Sequence, residues 1–249
     1  MTNDITVILN SYKRPHTAAE QVQAIYNQKD VLVRDIFYVQ NTMKGIVYDE
    51  RIKKSPGVTT FEMSRNIGVW GRFYAALNAR TDWVCILDDD TIPGDLWLKN
   101  CLDTQKNYPG LHCGIGIRFP RKKYEFKMRD RIGWDNPNEQ VEQVDLGGHC
   151  WNFHRDLLSI FCRELPPIDH DVICGEDIHF SAMLQKYTNL KTYVPPHPIN
   201  NKRMWSSYDK KKAWEIGGDR NATAGFAVPL FQKAFDKYLE NGFRLMCER

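Results

Sequence analysis

The sequence predicts an α/β fold built on a mainly parallel, doubly wound sheet with helices on both faces. Short apolar segments alternate with longer amphipathic segments along most of the 249 residues, as in parallel strands joined by crossover helices. One apolar segment, residues 83–87, runs directly into Asp88, Asp89 and Asp90. Open α/β sheets bind ligands at the carboxyl ends of such strands, so we expect a functional site there.

The individual elements follow from composition and spacing. Segments rich in β-branched and aromatic residues, bounded by polar residues or by glycine and proline, predict strands. They cover residues 5–9, 31–39, 57–62, 83–87, 111–119, 141–144 and 191–194. Apolar side chains at helical spacing predict helices between them. They cover residues 15–25, 64–79, 93–107, 155–162, 175–184 and 228–239, whereas residues 48–54 and 120–140 are interpreted as polar connections and Gly147-Gly148 as a turn.

The composition is that of a folded globular protein and excludes several functional classes. The net charge of +3 is too small to predict nucleic-acid binding, although it suits an anionic small-molecule substrate. The seven cysteines form no Cys-x-x-Cys pair, which argues against zinc and redox motifs and favours reduced thiols. No segment predicts a signal peptide or a membrane span. We therefore expect a cytoplasmic protein that binds no nucleic acid and has no membrane span.

The three acids after residue 87 predict a bound cation. Adjacent carboxylates repel one another unless a cation lies among them, and hard oxygen ligands favour Mg²⁺ or Mn²⁺, which in turn favour phosphate. The sequence contains neither a phosphate-loop motif nor Gly-x-Gly-x-x-Gly after the first strand. This absence argues against a phosphate-loop nucleoside triphosphatase and a nicotinamide dehydrogenase. A solvated acidic turn before Pro93 is the alternative interpretation.

Five motifs in order resemble the GT-A-fold glycosyltransferases, most closely the inverting enzymes of the family 2 type. They are residues 5–15, 64–68, 87–90, 147–148 and 175–177. The resemblance spans residues 4–198 and implies a GT-A (Rossmann-like) fold with a central, mainly parallel sheet flanked by helices. It implies a single domain over residues 1–249. Its parts would be a nucleotide-binding half (1–110), an acceptor-binding half (111–198), and a mobile lid with a C-terminal helix (199–249).

The resemblance implies a metal-dependent inverting transfer from a nucleotide-diphospho-sugar to a glycan hydroxyl. The expected nucleotide is UDP, the expected sugar is xylose, rhamnose or glucose, and the expected acceptor is an oligosaccharide or glycoprotein. Mn²⁺ or Mg²⁺ would stabilise the negative charge that develops on the leaving group. A retaining glycosyltransferase, a sugar-nucleotidyltransferase and a non-catalytic carbohydrate-binding protein on the same fold remain alternatives.

The same resemblance assigns roles to individual residues. The metal ligands would be Asp90, Asp88 and His197, with His149 and His179 as rivals. Donor contacts would come from Asn10, Ser11, Tyr12, Arg14, Asn41, Arg65, Arg72, Asp88 and Asp89. Acceptor contacts would come from Gly147, Gly148 and Trp151. The base that takes the acceptor proton would be Asp177, with Glu176 second.

Simpler roles compete with these assignments. Asp177 and Glu176 are at a predicted helix start, where acids stabilise the helix by capping and dipole interactions. Arg65 and Arg72 can belong to a solvated helix face, and Trp151 can be a core residue. Asn41 departs from the family pattern, in which an acid often follows the second strand.

Overall fold

Nine strands of the described chain form one mixed sheet with helices packed on both faces. The computed structural model describes residues 3–12, 14–41, 47–125, 127, 130–167, 174–209 and 224–249. The strands are β1 (Asp4–Ser11), β2 (Leu32–Asn41), β3 (Val58–Met63), β4 (Trp83–Leu87), β5 (Gly110–Ile117), β6 (Arg131–Gly133), β7 (Glu142–Val144), β8 (Leu146–His154) and β9 (Lys191–Val194). The helices are α1 (Ala18–Tyr26), α2 (Glu50–Lys53), α3 (Gly71–Ala76), α4 (Trp97–Gln105), α5 (Leu157–Phe161), α6 (Glu176–Tyr187) and α7 (Ala224–Glu240).

The strand order is β3-β2-β1-β4-β8-β5-β9-β7, with β6 paired to β5. Strands β3, β2, β1 and β4 are parallel neighbours, so their carboxyl ends lie at one edge of the sheet. Strand β8 lies antiparallel between β4 and β5, which makes β5 parallel to β4. The predicted α/β fold with a central sheet and flanking helices is confirmed.

Alternate residues of the central strands pack into two cores. Ile8 and Ile86 face one core, which α3, α5 and α6 cover. Val7 and Cys85 face the other, which α1 and α4 cover. Because both faces are buried, these strands are nearly continuous apolar segments, as parallel central strands usually are.

The predicted helix over residues 64–79 is wrong in its first half, because α3 begins only at Gly71. Side chains take the backbone groups that a helix would use: Asn66 Oδ1 accepts from the N–H of Gly68, and Asn41 Oδ1 accepts from that of Ile67. Gly68 also has a φ of +68°, in the left-handed region. Asparagine side chains compete with helical hydrogen bonds in this way.

Three further differences lie in segments interpreted as connections or as a turn. Within the connection 120–140, residues 131–133 form the short strand β6, which pairs with β5. Residues 50–53 form the short helix α2, whose first turn is capped by the side chain of Asp49. Gly147-Gly148 is not a turn, because both residues lie inside β8. A Cβ atom at Gly147 would lie 2.4 Å from the sulfur of Cys113, so glycine here permits close strand packing.

The expected mobile lid falls largely on residues 210–223, outside the described residues, whereas α7 confirms the expected C-terminal helix. Among the described helices, none combines the length and apolar character needed to cross a bilayer.

Candidate active site

The acids that follow β4 are held at the sheet edge by two neighbouring elements. The N–H of Asp88 and the hydroxyl of Thr91 both donate to the carbonyl of His149 in β8, at 3.0 and 2.9 Å. From α1, the amide nitrogen of Gln21 donates to the carbonyls of Asp88 and Thr91, at 2.6 and 2.9 Å. These hydrogen bonds fix the backbone around Asp88–Asp90, which we call the acidic segment, and so hold its three carboxylates at the sheet edge.

Asp88, Asp90 and His149 form a group that can hold a metal ion, since one ligand atom of each lies within 4.8 Å of the others. The Nδ1 atom of His149 lies 3.5 Å from Oδ1 of Asp90. Two carboxylates and an imidazole are a donor set that suits Mn²⁺ and can accept Mg²⁺. The residues present therefore fit the expected divalent cation.

A β-bulge brings His149 to these acids. Between the pairs Cys113–Trp151 and Ile115–Gly148, the register of β5 and β8 shifts, so that His149 and Cys150 lie opposite a single residue. His149 itself has a φ of +62°, which is uncommon for a residue other than glycine. Bulges often redirect a side chain beside an active site, and Trp134 packs edge-to-face against this imidazole at 5.7 Å.

Electrostatics favour an Asp90–His149 pair in the absence of a cation. Burial lowers the pKa of His149, but the neighbouring carboxylate of Asp90 outweighs it and holds the pKa above its usual value. Burial likewise raises the pKa of Asp90, yet His149 and Arg14 hold it below its usual range. A cation at this position would take the place of the imidazole proton.

The structure favours His149 over His197 as the third candidate ligand, because both ring nitrogens of His197 already have hydrogen-bond partners. Nδ1 lies 2.9 Å from the carbonyl of Pro195, and Nε2 lies 3.0 Å from the hydroxyl of Ser206. Burial lowers the pKa of His197 to about 3, so the ring is neutral. The other rival, His179, is buried between the hydroxyl of Tyr238 and the carbonyl of Phe161.

We expect His197→Ala to lower the free energy of unfolding by about 2 kcal/mol, because it leaves buried polar partners unsatisfied. It should leave Mn²⁺ affinity unchanged. Urea unfolding and Mn²⁺ calorimetry check the two parts, with His154→Ala, which removes a partly exposed imidazole, as the matched control. A large loss of Mn²⁺ affinity in folded His197→Ala would return His197 to the ligand set.

Arg14 neutralises part of the acidic segment. Its guanidinium is buried and lies 2.5 Å from Asp89 and 3.4 Å from Asp90. Burial raises the pKa of Asp89 to about 7, although Arg14 opposes the shift. Arg14 therefore offsets part of the negative charge that Asp89 and Asp90 bring to the sheet edge.

Arg72 joins the acidic segment to the start of α6. Its guanidinium pairs with Asp88 on one side and with Glu176, at 2.6 Å, on the other. It also lies 4.4 Å from the centre of the Trp151 ring. Arg72 is 3% exposed and is held between two carboxylates, so its expected contact with a nucleotide stays a prediction.

The two acids of α6 have different surroundings. The helix begins after Gly175, whose φ of +96° requires glycine. Glu176 faces Arg72, and burial raises its pKa to about 8. Asp177 accepts a hydrogen bond from the N–H of Ile178 at 2.7 Å. Burial raises its pKa to about 6, against that hydrogen bond and the charge of Arg72.

The remaining donor candidates surround the ends of the first three strands. Asn10 and Asn41 bond to each other at 3.0 Å, which holds these two strand ends together. Ser11 is buried near Tyr38 and Gln40, two buried polar residues that the sequence analysis did not single out. Burial raises the pKa of Tyr38 to about 12. Tyr12 is half-buried after β1, and Arg65 is exposed after β3.

Trp151 is a core residue rather than a sugar platform. It is 1% exposed and packs edge-to-face on Phe73 at 5.6 Å, so its expected stacking on an acceptor is corrected. Gly148 is half-buried next to His149 and has open space at its Cα, the nearest atom to a Cβ there being 4.0 Å away. Of the three acceptor candidates, only Gly148 offers backbone that a sugar can approach.

Comparisons with known proteins agree with this geometry. The sequence model for glycosyl transferase family 2 matches residues 6–165. Among solved structures, the crystal structure of S. aureus TarS 1-349 is similar, with 14% sequence identity and a TM-score of 0.51. The alignment covers 98% of this chain and 72% of that one, and at this identity it concerns the fold alone. No curated protein matches the chain.

The matched region includes the first strand, the acidic segment and the bulged strand β8. It extends over more than half of the chain, and the sheet order places these elements side by side. The chain therefore belongs to glycosyl transferase family 2 and is a glycosyltransferase with a GT-A fold.

Proposed function

We propose that this glycosyltransferase moves a sugar from a nucleotide-diphospho-sugar to a glycan hydroxyl, with inversion at the anomeric carbon and with Mn²⁺ or Mg²⁺ as cofactor. The observation that carries the proposal is the ion-pair chain Asp88–Arg72–Glu176. It joins the candidate metal group to the carboxylates of α6. This supports a reaction in which the leaving diphosphate binds at the metal group and the acceptor hydroxyl binds next to it, at α6.

The donor diphosphate belongs at the sheet edge beside the acidic segment. A cation held by Asp88, Asp90 and His149 would neutralise the charge that develops on the diphosphate as it leaves. Arg14 lies beside Asp89 and Asp90 and can turn its guanidinium towards a phosphate oxygen. When Arg14 turns away, Asp89, whose pKa is raised by burial, loses its ion-pair partner. It can then accept a hydrogen bond from a hydroxyl group of the sugar nucleotide.

The nucleoside is proposed to lie at the ends of β1 and β2. Ser11 and Gln40 are register partners there, and both are buried polar residues that can bond to a base or ribose. Tyr12 and Arg65 contribute from the rim, whereas Asn10 and Asn41 hold the two strands together. We propose UDP as the nucleotide, carrying xylose, rhamnose or glucose.

Asp177 is proposed as the base. Glu176 is engaged by Arg72, whereas Asp177 is half-buried and one of its oxygens accepts from the N–H of Ile178. The acceptor oxygen would form a bond to the anomeric carbon as the bond to the diphosphate breaks. Its proton would pass to Asp177, and the nucleoside diphosphate would depart. One carboxylate suffices for inversion by this route.

The acceptor is proposed to be an oligosaccharide or a glycoprotein glycan that approaches the backbone at Gly148, next to His149. Incubation with UDP-xylose, UDP-glucose and UDP-rhamnose with Mn²⁺, followed by proton NMR of the anomeric region, tests the proposal. We expect turnover of one donor, even with water as acceptor, and inversion of its anomeric configuration. Turnover with retention, or turnover that EDTA does not reduce, would contradict it.

The pH dependence should report the base. Since burial raises the pKa of Asp177 to about 6, the carboxylate is ionised above that pH and protonated below it. We expect kcat to fall about tenfold for each pH unit below 6, because only the ionised form accepts a proton. Turnover measured from pH 4.5 to 8 at saturating donor checks this, and a flat profile across pH 6 would exclude Asp177 as the base.

Arg72→Met should lower the free energy of unfolding by about 3–5 kcal/mol, because Asp88 and Glu176 lose their shared buried partner. Arg80→Met, which changes an exposed arginine, is the matched control and should have little effect. Urea unfolding at pH 7.5 measures both. If Arg72→Met unfolds like the control, the ion-pair chain does not stabilise the fold.

A further inference from the structure

A cleft of about 570 Å³ lies beside α1, on the face of the sheet opposite to the one that α6 covers. Its volume is in the range of small-molecule sites, and none of the candidate donor, metal or base residues lines it. One wall is the exposed side of α1, the second is the segment 92–95, and the third comes from residues 202–208.

The first two walls are fixed to each other. Besides the bonds of Gln21 to Asp88 and Thr91, the side chain of Gln28 donates to the carbonyl of Gly94 at 2.8 Å. The N–H of Lys29 donates to the carbonyl of Asp95, also at 2.8 Å. The position of α1 relative to the segment 92–95 is therefore set by hydrogen bonds at both ends of the cleft.

The third wall is bonded to the second along its length. The N–H groups of Gly94 and Leu96 donate to the carbonyls of Trp205 and Arg203, and that of Tyr208 donates to Ile92. A Cβ atom at Gly94 would lie 2.4 Å from the carbonyl oxygen of Arg203, so only glycine permits this approach. The cleft is thus preformed, which lowers the entropy lost when a ligand binds.

The lining combines balanced charge with polar groups and one aromatic ring. Its charged residues are two acids and two bases: Glu20, Asp95, Lys202 and Arg203. Asp95 and Arg203 form an ion pair with two hydrogen bonds, of 2.7 and 3.0 Å. Such a lining attracts neither an anion nor a cation strongly.

The uncharged lining groups suit a sugar. Gln23 of α1 and Asn27, which follows the helix, line the cleft and bond to each other through their side-chain amides at 3.1 Å. Tyr208 borders the cleft with 40% of its surface exposed. Amides bond to hydroxyl groups, and an aromatic ring packs on the apolar face of a pyranose. A neutral polyol with one apolar face is the ligand class that matches these groups.

One end of the cleft lies beside the acidic segment, since Gln21, the neighbour of the lining residue Glu20, bonds to the carbonyl of Asp88. Ile92 is two residues after Asp90, and α1 begins close to the sheet edge that carries the acids. From Glu20 to Asn27 the helix runs about 10 Å away from that edge, at 1.5 Å per residue. An extended ligand can therefore occupy both the edge and the cleft.

We propose that this cleft binds a neutral saccharide unit of the acceptor glycan, remote from the unit that receives the sugar. The identification of the occupant as acceptor rests on the proposed function, whereas saccharide binding itself does not. Longer acceptors should therefore bind more tightly than shorter ones, with the gain arising at Tyr208 and at the amides of α1.

Saturation-transfer NMR on the full chain tests binding without requiring transfer. The probes are cellotetraose, maltotetraose, chitotetraose and mannotetraose, with tetragalacturonate as the anionic comparison. We expect saturation of at least one neutral tetrasaccharide and an affinity about fivefold lower in Tyr208→Ala, in keeping with the loss of one aromatic contact. Tyr208→Phe should retain binding, Gln23→Leu should weaken it, and Tyr74→Ala, an exposed tyrosine on α3, should leave it unchanged.

The outcomes separate this proposal from the proposed function. Saturation of no neutral tetrasaccharide, saturation of tetragalacturonate alone, or equal binding by Tyr208→Ala and wild type would each overturn the saccharide site. Donor turnover into water, measured in the same samples, reports the proposed function independently. Saccharide binding without donor turnover would keep the cleft as a binding site and remove its acceptor role.

Discussion

Asp177→Asn is expected to lower sugar transfer by about 10²–10⁴-fold, the usual contribution of a positioned general base. The amide cannot accept the acceptor proton, while it keeps the size of the side chain and the hydrogen bond to the N–H of Ile178. Donor affinity should stay within about twofold of wild type, because the proposed donor contacts lie on β1, β2 and the acidic segment. Single-turnover rates with saturating donor, together with donor calorimetry, measure the two quantities.

Two comparisons make that result specific to the base. Asp156→Asn changes a well-exposed aspartate before α5 and should leave transfer unchanged. Glu176→Gln removes the partner of Arg72, so it should lower stability and shift the pH profile without abolishing transfer. Full transfer by Asp177→Asn, combined with loss of transfer in a folded Glu176→Gln protein, would move the base to Glu176.

The second large effect is expected at the candidate metal group. Asp90→Asn and His149→Ala should each weaken Mn²⁺ binding by about tenfold or more, since each removes one of three ligand atoms gathered within 4.8 Å. Transfer at low Mn²⁺ should fall accordingly and be partly restored at high Mn²⁺. Calorimetric titration of Mn²⁺ in the presence of UDP gives the affinities.

His154→Ala is the matched control for the imidazole, because His154 is at the far end of β8 from His149 and is partly exposed. Its Mn²⁺ affinity should equal that of wild type. If His149→Ala binds Mn²⁺ as wild type does, while Asp90→Asn does not, the cation is held by carboxylates alone. The β-bulge at His149 would then not contribute to metal binding.

The elements that position the site were largely predictable from sequence, because they depend on local patterns. Buried parallel strands are apolar on both faces, which is why the segment ending at Leu87 indicated a central strand. The three acids after it indicated a charged strand end, and Gly175 before two acids indicated a helix start. Each inference used residues adjacent in the sequence.

The relations that define the site depend on contacts between distant residues. The bulge that turns His149 towards Asp90 comes from the register of β5 against β8, and no residue pattern indicates where two strands shift. Arg72 shares its partners Asp88 and Glu176 across 16 and 104 positions of sequence. His197 resembled a family ligand by its place in the sequence, but the partners of its ring come from Pro195 and Ser206.

Calorimetric titration of UDP, GDP and dTDP into the protein, with Mn²⁺ and then with EDTA, tests the central claim most directly. That claim is that Asp88, Asp90 and His149 hold a cation which in turn holds a nucleoside diphosphate. We expect one of the three nucleotides, UDP by our proposal, to bind with Mn²⁺, to lose at least about tenfold in affinity with EDTA, and to bind weakly to Asp90→Asn even with Mn²⁺. Equal binding with Mn²⁺ and with EDTA, unaffected by Asp90→Asn, would contradict it.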